Sequence, residues 1–249
     1  MIYIPESDFL LRTRAREIIS YLRFLRVAVE QHAILTAQTT TSTLQIEIPR
    51  SLTYTLKANV YLLLYSAMEA TFVQLIDEIH ECVQQNASSV DHLQSDLLLH
   101  ITRTFKSSKT DVVHTNIQPP IGEALMALWK KEWKSKTKGK ERRTGGISGN
   151  IDGKAMHQQL LKYGAVQGVG NSPMPHLTHK ALESAKDRRN MLAHGELGFS
   201  DLGQGISVDE LFTDARHVFK TLVRIALHVN GYLGAKGYLI NSTWNTVQK

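Results

Sequence analysis

The chain has 249 residues, 42% of them hydrophobic, enough for one large core or two small ones, and its single cysteine, Cys82, excludes an internal disulfide framework and any multi-cysteine zinc centre. The formal net charge of +6 is unevenly placed, because eight basic residues between positions 130 and 143, set against Glu132 and Glu141, carry an excess equal to the whole of it. Residues 1–8 hold no apolar signal core and the longest apolar run, 60–65, is too short to span a bilayer, so a cytoplasmic protein without a membrane partner is expected.

Residues 7–35 read as a long first helix, with Leu11, Ala15, Ile18, Leu22, Leu25 and Val29 spaced by fours and threes into one apolar seam. Arg12, Arg16, Arg23 and Arg26 fall on the opposite face, either solvated or tracking phosphate. Residues 36–42 read as a polar, Thr-rich connector, and 44–48 alternate until Pro49 stops them, as extended loop with at most a short strand. A second helix, 51–83, is apolar nearly all round between 60 and 70, the mark of the most buried element. Glu69 is the exception there. A carboxylate so placed needs a partner, and Tyr65, one turn earlier, and Arg189 are the candidates.

A third helix is expected from Ser88-Ser89 to Phe105, then a loop over 106–115. Pro119-Pro120 opens a fourth helix, which runs through Leu125, Leu128 and Trp129 into the basic block Lys130, Lys131, Lys134, Lys136, Lys138, Lys140, Arg142 and Arg143. That block, continuing as a flexible loop over 134–150, reads either as a solvated arm or as an arm that follows an RNA backbone with salt-sensitive affinity. Trp129 and Trp133 pack in a core or stack on bases. The glycines of 144–149 lack the Lys-Ser/Thr ending of a phosphate-binding loop. A fifth helix, 152–163, stops at Gly164, and a Gly/Pro connector follows. His176 and His179, the closest histidine pair, lie across the junction of that connector and the next helix start with no acidic cluster beside them, so neither a metal nor a cofactor is expected.

The helix over 178–193 carries the chemistry. Ala181, Leu182, Ala185, Leu192 and Ala193 form its apolar stripe, and Arg189 falls inside that stripe. An inward guanidinium must find a partner or line a cleft, since an unpaired buried charge costs several kcal/mol. On a regular helix the side chains of Arg189 and His194 project about 140° apart, so they converge only if the helix ends between them. Gly195 is the residue expected just past a helix end, where the left-handed conformation costs it nothing. An arginine supplies a planar fork for a phosphodiester and a histidine moves a proton near neutrality, which is what metal-free RNA cleavage requires. The plainer alternative is a capping histidine beside a salt-bridged arginine. After a turn at Phe199-Ser200 and a Gly-rich loop, Ser207 and Glu210 form a capping box. The last helix has the seam Leu211, Ala215, Val218, Leu222, Ile225, Val229 and Tyr232. Residues 234–249 read as a loosely packed tail, with Trp244 docked back. The surplus seams of the first and last helices suit a second copy of the chain.

Arg189-Asn190-x-x-Ala193-His194-Gly195 at a helix end, with the loop and long amphipathic helix after it, resembles the HEPN superfamily and, within it, the toxin-like HEPN nucleases of prokaryotic defence and toxin systems. The layout of 61–69 and 149–164 agrees with that resemblance. It implies an all-α, HEPN-like helical bundle over 1–249 as a single domain, with long N- and C-terminal helices and a basic loop insertion. It also implies a homodimer in which two copies of the motif form one metal-independent endoribonuclease site acting on RNA, tRNA or mRNA, alongside an antitoxin or other defence-system protein. In that reading Arg189 clamps the phosphate, His194 is the general acid/base, Asn190 supports their geometry, Glu69 and Tyr65 orient the arginine, and Arg188 joins the basic arm in holding RNA. The alternative is a catalytically silent HEPN subunit that binds RNA, nucleotide or a partner as an adapter.

Overall fold

The computed structural model describes residues 3–30, 33–38, 40, 42–107, 121–137, 150–166, 180–242 and 244, and side chains at 104–107, 121 and 131–137 are not among them. The fold is all-α apart from one β-hairpin. Its elements are α1 (Pro5–Glu30), β1 (Ile34–Gln38), β2 (Thr43–Glu47), α2 (Arg50–Asn86), α3 (Ser95–Ser107), α4 (Ile121–Thr137), α5 (Gly153–Lys162), α6 (Lys180–Ala193), α7 (Phe199–Gln204) and α8 (Val208–Gly234), with a 3-10 turn at Val90–His92. The chain divides into two compact units where the sequence reads as one domain: Met1–Asp8, Thr71–Leu177 and Val223–Lys249 in the first, Phe9–Ala70 and Thr178–Leu222 in the second. Helices α1, α2 and α8 contribute residues to both.

In the second unit the expected seams supply the core. Leu11, Ile18, Leu22 and Leu25 of α1 are buried, as are Leu211, Ala215, Val218 and Leu222 of α8 and Ala181, Leu182, Ala185 and Leu192 of α6. The 60–70 stretch of α2 provides Val60, Tyr61, Leu64, Tyr65, Ala67 and Met68, each at most 2% exposed. Helix α2 is long and apolar enough to cross a membrane, but 56% of that window is buried inside the protein, as befits a core helix.

Two local expectations are corrected. The first helix stops at Glu30, and the stretch read as helix end and Thr-rich connector is instead β1, paired antiparallel with β2 from Ile34↔Glu47 to Gln38↔Thr43. Thr, Ile and Leu suit an extended backbone, and pairing the two strands satisfies N–H and C=O groups that a lone strand would leave to water. The Gly-rich loop after Phe199 is the short helix α7. Gly203 makes it possible, because a Cβ there would lie 1.8 Å from the Tyr54 carbonyl oxygen.

In the first unit, Phe72, Leu75, Ile76 and Ile79 of α2 share the core with Met126 and Trp129 of α4, Met156 and Leu160 of α5, and Ile225 and Val229 of α8. Its hub is Tyr163, at the end of α5, whose carbonyl accepts from Gln94 Nε2 at 2.7 Å and from the Tyr232 hydroxyl at 2.5 Å. The Tyr163 hydroxyl meets His80 Nε2 at 2.6 Å, and burial pushes its ionisation far above the usual range. The segment after Gly234 is not a loose tail in its described part. Gln94 N–H donates to Tyr238 O, Ile240 N–H donates to His92 O, and Tyr238, Ser242 and Trp244 are buried. Helix α4 runs to Thr137, so residues 134–137 are helical rather than the start of a loop, and the rest of 134–150 up to 149 lies outside the described residues.

Candidate active site

Helix α6 forms from strong helix formers, Ala, Leu, Lys, Arg and Met, with Glu183 in its first turn. Its end is closed at Gly195, as the sequence predicts. Gly195 has φ +71°, its N–H donates to Leu192 O at 3.3 Å, and Glu196 N–H donates to Met191 O at 2.9 Å. This is the Schellman arrangement, which satisfies carbonyls the helix would leave unpaired.

Arg189 faces inward, half-buried, as its place in the apolar stripe requires. Its Nη1 donates to Asn190 Oδ1 at 2.8 Å, and its Cζ stands 4.3 Å from the centroid of the Tyr65 ring. Arg188 is arranged in parallel, 4.5 Å from the Tyr61 ring centroid, with Nη1 3.5 Å from Asp214 Oδ2. The Tyr61 hydroxyl donates to the same Asp214 oxygen at 2.9 Å. Two tyrosines one turn apart on α2 therefore each carry a guanidinium on the ring face, a contact worth about 0.5–1 kcal/mol at partly exposed sites. The two arginines differ in one respect. Arg188 has a carboxylate, whereas Arg189 has none within ion-pair distance among the described residues.

Asp214 is a residue that the sequence did not single out. It lies beside the seam residue Ala215, and burial pushes its carboxyl above the usual range, with Arg188 and His217 opposing. Below it, Lys57 is buried, donates to Ile206 O at 2.5 Å and sits 5.0 Å from the Tyr54 ring; burial lowers its ammonium's pKa, against the pull of Glu210. Glu210 forms the expected capping box, accepting from Ser207 N–H at 2.7 Å and from its hydroxyl at 2.8 Å while Glu210 N–H donates to Ser207 Oγ at 3.1 Å. Those bonds, then Arg188 and Lys57, hold its carboxyl below the usual range.

One expectation meets a different geometry. Glu69 is half-buried on α2 but makes no hydrogen bond or ion pair with Arg189 or Tyr65 among the described residues; Asn190 and the Tyr65 ring hold the guanidinium instead. His194 N–H donates to Asn190 O at 2.9 Å, one residue past the end of α6 at Ala193, and helical spacing kept to that point would set the two side chains about 140° apart around the axis. His194 is exposed. Trp129 is 3% exposed, with its ring 4.6 Å from that of His80, a core position that bases do not reach.

Of the basic arm, Lys130 is half-buried on α4, Lys131, Lys134 and Lys136 lie on the same helix with side chains outside the described residues, and Lys138, Lys140, Arg142 and Arg143 lie outside them altogether. His176 and His179 also fall outside. Among the described residues no group of three His, Cys, Asp or Glu side chains is placed to hold a metal ion. Comparison with protein-family models, with curated proteins and with solved structures found no match.

Proposed function

We propose that the chain is a metal-independent endoribonuclease of the HEPN type that works as a homodimer. The observation that carries this reading is Arg189. A half-buried guanidinium oriented by a neutral amide and a ring face, with no carboxylate among the described residues to neutralise it, is held ready for an anion. Its neighbour Arg188 supplies the contrast, since Asp214 already balances its charge.

In the reaction the ribose 2′-oxygen attacks phosphorus, the bond from phosphorus to the 5′-oxygen breaks, and the products are a 2′,3′-cyclic phosphate and a 5′-hydroxyl end. Arg189 binds the phosphate and stabilises the charge that gathers on it. One His194 takes the 2′-hydroxyl proton and a second protonates the departing 5′-oxygen. Because Arg189 and His194 of one chain diverge, His194 of a second copy completes the site. The basic residues between 130 and 143 add non-specific affinity for the RNA backbone. A toxin or phage-defence setting in the cytoplasm, with an antitoxin or other defence protein as partner, belongs to the same reading.

The divergence of Arg189 and His194 within one chain also favours a second reading, a catalytically silent subunit that binds RNA or nucleotide as an adapter. Incubating purified protein with total RNA and with tRNA in excess EDTA separates the two. Cleavage that leaves cyclic phosphate ends and disappears in Arg189→Ala and in His194→Ala is the expected result. A folded wild type that binds RNA without cutting it would instead establish the adapter.

A further inference from the structure

Residues 24–52, all in the second unit, hold seven of the fifteen large apolar side chains that stay exposed among the described residues, four on the β-hairpin and three on the flanking turns of α1 and α2. The strand register sets Leu35 opposite Ile46 and Ala37 opposite Leu44. Directly opposed residues of an antiparallel pair share a face, so one side of the hairpin is wholly apolar, while Ile34, Thr36, Gln38, Thr43, Gln45 and Glu47 occupy the other. Every residue of both strands is exposed, with Leu35 and Leu44 at 52% and Ile46 at 49%. A cavity of about 410 Å³ at the hairpin root is lined by Ile34 and Glu47 of the other face together with Ala28, Ile48, Arg50 and Tyr54. A two-stranded sheet with an uncovered apolar face is marginal in water by itself.

We propose that this face packs against the same face of a second copy of the chain, as a two-fold interface in which the two hairpins stack about 10 Å apart. The inference rests on the two-copy reading above and names the surface through which the copies meet. Charge selects the occupant. The ten strand residues include no Lys or Arg, so an RNA backbone or an anionic membrane finds no cation there, and their one charged residue, Glu47, is on the other face. An uncharged apolar quartet matches itself, and two copies that each carry +6 meet best where neither presents charge. The three large side chains of this face, each near half exposure, leave roughly 300 Å² per copy against about 800 Å² per partner in a standard stable interface, so a stable dimer also covers the exposed Phe24, Val27 and Leu52 of the flanking turns.

Sedimentation velocity of the full chain over a concentration series tests this, run beside Leu35→Lys/Leu44→Lys on the apolar face and Thr36→Lys/Gln45→Lys on the polar face. Far-ultraviolet circular dichroism and urea melts accompany each variant. The wild type is expected at twice the 28.0 kDa chain mass. The apolar-face variant should raise the dissociation constant at least about 100-fold while the polar-face variant stays dimeric. A folded apolar-face variant that dimerises like the wild type, or a wild type that remains monomeric throughout, would overturn the proposal. Should the lysines unfold the chain, Ala37→Cys in a Cys82→Ala background gives the answer. A bis-maleimide of about 10 Å span should join two copies through residue 37 and not through Thr36→Cys, and equal yields overturn the face assignment. RNA cleavage measured on the same samples keeps the two readings apart. A dimer lost on apolar-face substitution with no cleavage by the wild type sinks the nuclease and keeps the interface; a surviving dimer that cleaves RNA does the reverse.

Discussion

Replacing Arg189 with methionine separates a guanidinium kept for function from one kept for the fold. The substitution removes the 2.8 Å bond to Asn190 Oδ1 and the cation over Tyr65, while a stem of similar length still covers the ring. The lost charge-assisted bond is worth about 1.5–3 kcal/mol and the ring contact about 0.5–1. Against this, a half-buried charge no longer has to be desolvated, and a thioether on an aromatic ring returns about 0.3–1.5 kcal/mol. The net change in stability is expected to stay within about 1.5 kcal/mol, a shift in Tm of no more than about 5 °C for a chain of this size. Activity should respond very differently, since losing one donor to a developing oxyanion lowers the rate by about 10²–10³-fold. Single-turnover cleavage in EDTA and urea melts on the same preparation measure both. A variant that cuts within threefold of the wild-type rate, or one that loses more than about 4 kcal/mol of stability, would refute the reasoning.

Acid should weaken the first unit through His100, whose imidazole is pushed down to about 4 by burial, with Lys162 and Arg103 adding to the shift. The unfolded chain takes that proton near 6.5 and the folded chain only near 4, so stability is full above about pH 6.5 and is lost as pH falls toward 4, by up to about 3 kcal/mol. Urea melts at pH 7.5 and 4.5 should show a shallower loss in His100→Gln, and an unchanged loss removes His100 from the account. Two glycine substitutions should rank by cause. Gly203→Ala drives a methyl into the Tyr54 carbonyl and should cost about 1–3 kcal/mol, whereas Gly195→Ala has open space around it and pays only left-handed strain, about 1 kcal/mol. Chemical denaturation of both checks the order, and a costlier Gly195→Ala contradicts it. Tyr61→Phe takes a donor from the half-buried carboxylate of Asp214 and should cost about 1–2 kcal/mol, read by the same method; no loss would mean that water replaces the hydroxyl freely.

Where a feature depends on neighbours within a turn or two, the residues themselves decide it. The apolar seams of α1 and α8 follow from the 3.6-residue period, the Ser207–Glu210 box from a three-residue spacing, and the Gly195 stop from the one residue that takes φ +71° without strain. The inward place of Arg189 was legible for the same reason, because its stripe is local to α6. The features that the sequence hid are set by residues far apart in the chain. Asp214 reaches Tyr61 across 153 positions, Tyr232 reaches Tyr163 across 69, and Gly203 is required by a carbonyl on α2. The Glu69 partnership failed on the same ground, since sharing a buried helix with Tyr65 says nothing about which acceptor a guanidinium from α6 will meet. Of the hairpin only the alternating stretch at 44–48 is legible, as extended chain; its partner strand reads as helix end and connector, since both strands are short and every side chain in them is exposed. Local period and backbone strain fix elements along the chain, while the partner of each polar group is chosen only when packing brings distant segments within hydrogen-bond reach, and the tertiary structure alone decided those partners here.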